Sequence, residues 1–240
     1  MSMLKGIISD IVGLFYPRLC AVCGDELCDG ENFVCTACRF RVPLTGFCDE
    51  ADNPMKRKLW GLLPVENASA FIWFVEGSDW RRMIHRFKYD DMWLYARRMG
   101  EWYGSALKKS GLYDGVDAVV PVPLHLRKRL SRGYNQSEYI ADGIAAALGV
   151  GVLRRSVVRR VNNPSQTKRS AGERWENVEG IFAVRNADAL RGKHILLVDD
   201  VFTTGATIIS CGEAILKAVG DVKLSVAALA ASRRGLGIDE

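Results

Sequence analysis

The chain has 240 residues, 48% of them hydrophobic and 25% charged, with a net charge of +5 and seven cysteines. This is the balance of an ordinary soluble globular protein, and no apolar run approaches the roughly 20 residues that a membrane helix needs. The length allows one α/β domain with a smaller attachment. The Met1–Pro17 stretch is too mixed for a signal peptide, with Lys5 and Asp10 among short apolar pairs, so a cytoplasmic location is expected. In that reducing compartment seven cysteines point to metal or free thiols rather than a disulfide framework.

In chain order, Leu4–Phe15 repeats apolar residues at helical spacing and stops at Pro17, which predicts a short amphipathic helix. Two C-x2-C knuckles follow, Cys20/Cys23 and Cys35/Cys38. Their spacing fits a tetrahedral zinc site, and four thiolates leave no open position, so the metal would be structural. The segment has little core of its own, so the metal would supply its fold. Residues 49–67 are polar and proline-bearing and read as a linker, which divides the chain into 1–48, 49–67 and 68–240. Ala68–Val75 reads as a strand. Asp79 is the expected cap of a long helical stretch with Trp80, Met83, Ile84 and Phe87 on one face.

Asp117–Pro123 is a strongly apolar strand that its two prolines end. After it comes HLRKRLSRGYNQS, a basic loop carrying Arg127, Lys128, Arg129 and Arg132, then Gly133 and a helix from near Asn135 to Leu148. Guanidiniums at the carboxyl end of a strand suit bidentate contacts to phosphate oxygens. Residues 118–175 hold eleven Lys/Arg against three acids, so the positive charge is concentrated around this region, as a polyanionic ligand requires. Val150–Val161 reads as a strand with a basic outer face. Asn162–Asn177 is polar, lacks apolar periodicity and is long for an internal connection, as functional lids often are. Ile181–Arg185 and Val222–Ala231 read as further strands.

The stretch Lys193–Thr207, KHILLVDDVFTTGAT, organises the rest. A strand buried on both faces ends in Asp199 and Asp200, and a helical pattern follows Thr207. Between them Thr203, Thr204, Gly205, Ala206 and Thr207 offer hydroxyls, backbone N–H groups and a helix N-terminus, which suit a phosphate monoester. Gly205 lets the backbone approach closely. Carboxylates beside a phosphate cradle read as a ribose-5-phosphate site. Acids after a strand can also cap the next helix, and TTG can be an ordinary turn. No Gly-Lys-Thr/Ser follows, so the loop is not a Walker A loop.

VDDVFTTGAT resembles the phosphoribosyl pyrophosphate (PRPP) motif of type I phosphoribosyltransferases, and VPVPLH…R…RGYNQ and MIHRFKY resemble the ComF competence-protein family within that superfold. The resemblance implies an α/β type I phosphoribosyltransferase fold, a parallel sheet with flanking helices, plus a small N-terminal zinc-binding module. It implies PRPP with Mg²⁺ as ligand, Asp199 and Asp200 on the ribose hydroxyls, and Thr203–Thr207 on the 5-phosphate. Arg127, Lys128, Arg129, Arg132 and Lys88 would then face pyrophosphate. Arg169, with Ser165, Gln166, Thr167, Arg174 and Asn177, falls in the lid that closes over PRPP. Cys28 and Cys48 are left over: the family's further knuckle near Cys48 lacks its partner here, since Asp49, Glu50 and Ala51 follow.

Besides a zinc-scaffolded interaction module whose N-terminal segment would recruit a helicase or membrane-channel component, two functions remain open on the sequence. One is a PRPP-binding protein acting in DNA uptake and natural transformation, on incoming single-stranded DNA, with a helicase or channel component of the competence machinery as partner. Basic loops beside Tyr134 and Trp175 are compatible with a single-strand groove, though the aromatics are not arrayed as a stacking platform. The other is an active phosphoribosyltransferase, amidophosphoribosyltransferase-like, in nucleotide metabolism or salvage. Pentosyl transfer from PRPP needs no nucleophilic side chain, and the sequence holds no Ser/His/Asp set.

Overall fold

The computed structural model describes residues 17–87, 92–160 and 180–238, with the side chains of Lys128 and Arg132 outside that description. The expected helix over Leu4–Phe15, Lys88, and the lid with Arg169 lie outside the described residues. No helix among them is long and apolar enough to cross a membrane.

The core is a five-stranded parallel sheet in the order β1-β7-β6-β2-β3. Its strands are β1 (Ala68–Trp73), β2 (Ala118–Pro121), β3 (Gly151–Val152), β6 (His194–Phe202) and β7 (Lys223–Ala231). A separate antiparallel ribbon pairs β4 (Val157–Arg159) with β5 (Phe182–Val184). The single strand expected over Val150–Val161 is thus two strands in different sheets. Arg155, in the left-handed region at φ 64°, turns the chain between them.

Burial on both faces explains the apolar runs. On one face Leu196, Val198, Ala227 and Leu229 pack with α3 (Asp79–Arg86), α4 (Trp93–Ser110) and α6 (Gln136–Leu148). On the other Ile195, Leu197, Val226 and Ala228 pack with α2 (Pro54–Leu59) and α7 (Ala206–Val219). α4 and α6 touch backbone to backbone: a Cβ on Gly143 would lie 2.1 Å from the Arg97 carbonyl oxygen, and one on Gly100 2.3 Å from that of Ile140. α6 is therefore held firmly against α4, which packs on the same face of the sheet.

Two local expectations are corrected. The cap of α3 is Ser78, whose hydroxyl accepts the Arg81 N–H at 3.1 Å, while Asp79 occupies the first turn. The segment 49–67 is no bare linker: Asn53 caps α2, donates to the Ala68 carbonyl at 2.7 Å, and Met55, Leu59 and Leu63 are fully in the core. Residues 43–45 run antiparallel beside β1, with Trp73 N–H donating to the Pro43 carbonyl at 2.7 Å, and so cover that sheet edge.

Chain direction then fixes where a ligand sits. From β2 the chain crosses outward through α6 on one face; from β6 it crosses the other way through α7 on the opposite face. Between β2 and β6 lies the switch point, where open α/β sheets leave a crevice beyond the strand ends.

Candidate functional site

β2 pairs with β6 only as far as Pro121 opposite Val198, where the Val122 N–H donates to the Val198 carbonyl at 2.8 Å. β7 continues to pair, Asp199 opposite Ala228 and Phe202 opposite Ala231. The acid pair therefore belongs to the strand rather than following it, and it flanks the crevice on the side β2 has vacated. After the buried Phe202 the chain turns through Thr203–Gly205, with Gly205 at φ 82°, into α7. The first intrahelical bond is Ile209 N–H to the Gly205 carbonyl, at 2.9 Å. The N–H groups of Ala206, Thr207 and Ile208 precede it; Gly205 at the cap position has no side chain to cover them, and Thr204 Oγ1 accepts the Ala206 N–H at 3.5 Å. Asp199 and residues 201–208 line one small concavity.

Close packing sets this loop. A Cβ on Gly205 would meet the Phe202 ring at 2.8 Å. Behind it stands α8 (Arg233–Leu236), where a Cβ on Gly235 would lie 2.0 Å from the Thr203 carbonyl oxygen. Nothing in the sequence signalled Gly235, because its partner is a backbone atom more than thirty positions away.

Asp199 Oδ1 accepts from the Asp200 N–H at 2.9 Å and from the Ser137 hydroxyl at 3.2 Å, and Asp200 Oδ1 accepts from the Val201 N–H at 2.8 Å. Burial, then the neighbouring Asp200 charge, push the Asp199 carboxyl up to about 8; the two hydrogen bonds and Arg159 pull the other way. Such a pair favours a cation or ligand hydroxyls. The Ser137 contact also brings the GYNQS stretch and the VDD stretch together across the crevice. Asn135 helps by donating to the Val122 carbonyl at 3.0 Å, which fixes the start of α6 at the end of β2.

The basic stretch after β2 is helical, not a loop: α5 (Leu126–Arg132) is capped by His125, whose Nδ1 accepts the Arg127 N–H at 3.2 Å. Arg127 and Arg129 line a cavity of about 490 Å³ between α5 and the β4–β5 ribbon, and the ribbon side adds Arg155, Arg159, Arg160 and Arg185. Arg159 does not sit on an outer face as the sequence implied. It lies partly buried over the Phe182 ring, 5.5 Å from its centroid, and its Nε is buried without a partner. Burial pulls its pKa down, against the pull of Asp199.

The four knuckle cysteines converge: the sulfurs of Cys20, Cys23, Cys35 and Cys38 lie within 4.8 Å of one another. Cys23 and Cys35 sulfurs are 3.8 Å apart, the separation that two ligands of a tetrahedral site with metal–sulfur bonds near 2.3 Å would have, about 3.8 Å. Burial opposes the Cys20 thiolate, but N–H groups of Cys35, Cys23 and Val22 outweigh it and bring this thiol down to about 7. The cluster can therefore hold a metal ion. Cys48 is buried against the Ser69 hydroxyl and Cys28 is exposed; neither joins the cluster.

A family described as "Phosphoribosyl transferase domain" matches residues 134–238, the span from the start of α6 to the end of α8. The chain is 24% identical over 210 residues to Competence protein F of Haemophilus influenzae, covering 81% of this chain and 89% of that one. It is 26% identical over 192 residues to Competence protein ComFC of Bacillus subtilis, covering 80% and 75%. Residues 134–238 thus match the phosphoribosyl transferase domain, and most of the chain is similar to the ComF/ComFC-like competence proteins. The DNA utilization protein YhgH of Salmonella typhi matches over 101 residues at 32% identity, 42% of this chain and 44% of its own. Among solved structures, Saccharomyces cerevisiae adenine phosphoribosyltransferase aligns over 62% of this chain and 73% of its own, at 15% identity and a TM-score of 0.37, too distant to bear on the site.

In this ComF-like chain the structure gathers Asp199 with Thr203–Thr207, and Arg127 with Arg129, at neighbouring strand ends. Asp200 does not line the small concavity. Sequence reasoning missed Ser137, Arg159 and Arg185. Ser137 stood inside a quoted motif without a role, and the two arginines needed the ribbon's position to be known.

Proposed function

We propose that this chain binds PRPP with Mg²⁺ and acts in DNA uptake, on incoming single-stranded DNA. The observation that carries PRPP is the uncapped start of α7 beside an acid pair at the switch point. It offers N–H groups and threonine hydroxyls to a 5-phosphate and carboxylates to ribose hydroxyls. Arg127 and Arg129 lie on the side where pyrophosphate would extend. The donor set around Asp199 and Asp200 is oxygen only, which fits a hard cation. When bound, Mg²⁺ would supply charge neutralisation of the pyrophosphate, and the acid pair would hold it through the ribose hydroxyls.

The link to DNA uptake is supported by the relatives, two of which are named as competence proteins and one as a DNA utilization protein. The basic cavity beside the cradle suits a polyanion. Zinc is the metal proposed for the four-cysteine cluster, because four converging thiolates and no oxygen ligand favour it. Calorimetric titration of PRPP with Mg²⁺ tests the central point. Binding is expected for the native chain and its loss for Asp199→Asn with Asp200→Asn; unchanged heat in the double variant would sink the assignment. Pyrophosphate release in the presence of ammonia or nucleobases separates a working transferase from a protein that only binds.

A further inference from the structure

The cavity between α5 and the β4–β5 ribbon carries more positive charge than the cradle reading uses. Among the described residues six arginines line it, Arg127, Arg129, Arg155, Arg159, Arg160 and Arg185, against one acid, Glu138, which pairs with Arg129 at 3.4 Å. Among the described residues, none of Arg155, Arg159, Arg160 and Arg185 is salt-bridged to a carboxylate. A magnesium-bound pyrophosphate retains only about one or two negative charges. Arg127, with Arg129 shared with Glu138, faces that charge from the α5 wall, and the ribbon wall is left with four guanidiniums.

Two of those four are held at some expense. Arg155 occupies a left-handed backbone conformation that few non-glycine residues adopt, and Arg159 keeps a buried Nε with no partner among the described residues. Guanidiniums so gathered match the oxygens of a phosphate monoester. The cavity, about 490 Å³, is of small-molecule size, and among the described residues no Phe, Tyr or Trp lines it to stack a neutral base.

We infer that the ribbon wall binds a second phosphate monoester, that of a nucleotide, beside PRPP rather than in its place. This rests on the PRPP reading for the word "beside" but not for the pocket itself. The shared chemistry is a nucleotide phosphomonoester, borne either by a free mononucleotide or by the end of a DNA strand.

The test is calorimetry on the full chain preloaded with PRPP and Mg²⁺. Adenosine 5'-monophosphate should bind and adenosine should not. Arg160→Gln with Arg185→Gln, both exposed positions, should weaken the mononucleotide at least tenfold while PRPP affinity holds within twofold. Arg155→Gly removes a guanidinium while suiting the backbone, so it should weaken the mononucleotide without lowering the melting temperature. Oligodeoxynucleotides with and without a 5'-phosphate distinguish the source: a tenfold gain from the phosphate assigns the strand end, and a response to the mononucleotide alone assigns the free nucleotide. Equal binding of adenosine and its monophosphate overturns the inference. So does a mononucleotide that PRPP displaces and the arginine variants ignore, since it would then sit in the cradle. If PRPP itself fails to bind, the cradle reading falls, and mononucleotide binding lost in Arg160→Gln with Arg185→Gln still supports the pocket.

Discussion

The cysteine cluster and the α7 cradle are both ion sites built from a few residues, yet they are opposites in what holds them. Around Cys20–Cys38 the backbone contributes one helix of five residues, α1 (Thr36–Phe40), and a single isolated bridge between Leu19 and Glu26. The ligand set is side chain, and without a metal four buried or half-buried thiols face one another. At Thr203–Thr207 the ligand set is largely backbone, fixed by a nine-residue strand, a fourteen-residue helix and two glycine contacts. In the first the ligand makes the fold; in the second the fold makes the site. The first should therefore depend on its ion for structure and the second only for function.

Metal removal draws that line most sharply. Structural zinc in such modules is worth roughly 10–16 kcal/mol of apparent binding free energy. Metal analysis should give one zinc per chain, lost in Cys20→Ser with Cys38→Ser. Chelation should open residues 18–48 to protease while the parallel sheet still melts cooperatively. Because Val22, Leu27 and Val34 pack into the same cluster as Phe71 and Trp80, that melt should move to lower temperature. A metal-free module that resists protease would erase the contrast.

The cradle should fail by the opposite route, through geometry with the fold intact. Gly235→Ala places a methyl group 2.0 Å from the Thr203 carbonyl oxygen, and a backbone atom must move. PRPP affinity is expected to fall at least about 100-fold, about 3 kcal/mol, although residue 235 touches no ligand. Native affinity in this variant would show that α8 does not brace the loop. A smaller loss, about tenfold, is expected for Arg127→Gln with Arg129→Gln, together with a shallower dependence of affinity on salt, as these charges act from the other wall.

Sequence legibility follows the same division. The apolar runs 195–198 and 224–231 had to be buried on both faces, and they are. The TTGAT turn and the start of α7 were legible because glycine and hydroxyl chemistry at a helix start is local. The cysteine spacing was legible for the same reason. What was hidden depends on distant packing: Gly235 behind Thr203, Ser137 on Asp199, and Arg159 turned inward over Phe182. The segment from Arg127 to Arg132 misled because its run of charges read as a phosphate-facing loop, whereas His125 caps it into a helix and leaves Leu126 and Leu130 exposed. The polar stretch 49–67 misled likewise, since Asn53 is buried and satisfied by five backbone partners, Phe47, Glu50, Ala68, Met55 and Lys56.

The smallest effect concerns the cost of keeping the cradle ready. Asp199 holds its proton up to about 8 in the folded chain because it is buried and faces Asp200, against about 4 for an unconstrained aspartate. Between those values the native state binds more protons than the unfolded one, so stability falls as pH rises through that window and is level below it. Asp199→Asn removes the penalty. The variant should therefore be the more stable protein at pH 8, with the higher melting temperature, and the gap should close toward pH 4. Adding PRPP and Mg²⁺ at pH 8 should reverse the order, since only the native carboxylate gains a partner. A gap that does not change with pH would mean that the Asp200 charge and burial are already relieved without ligand. The acid pair would then be a helix-start ornament of the sheet rather than a site kept under tension for ribose hydroxyls.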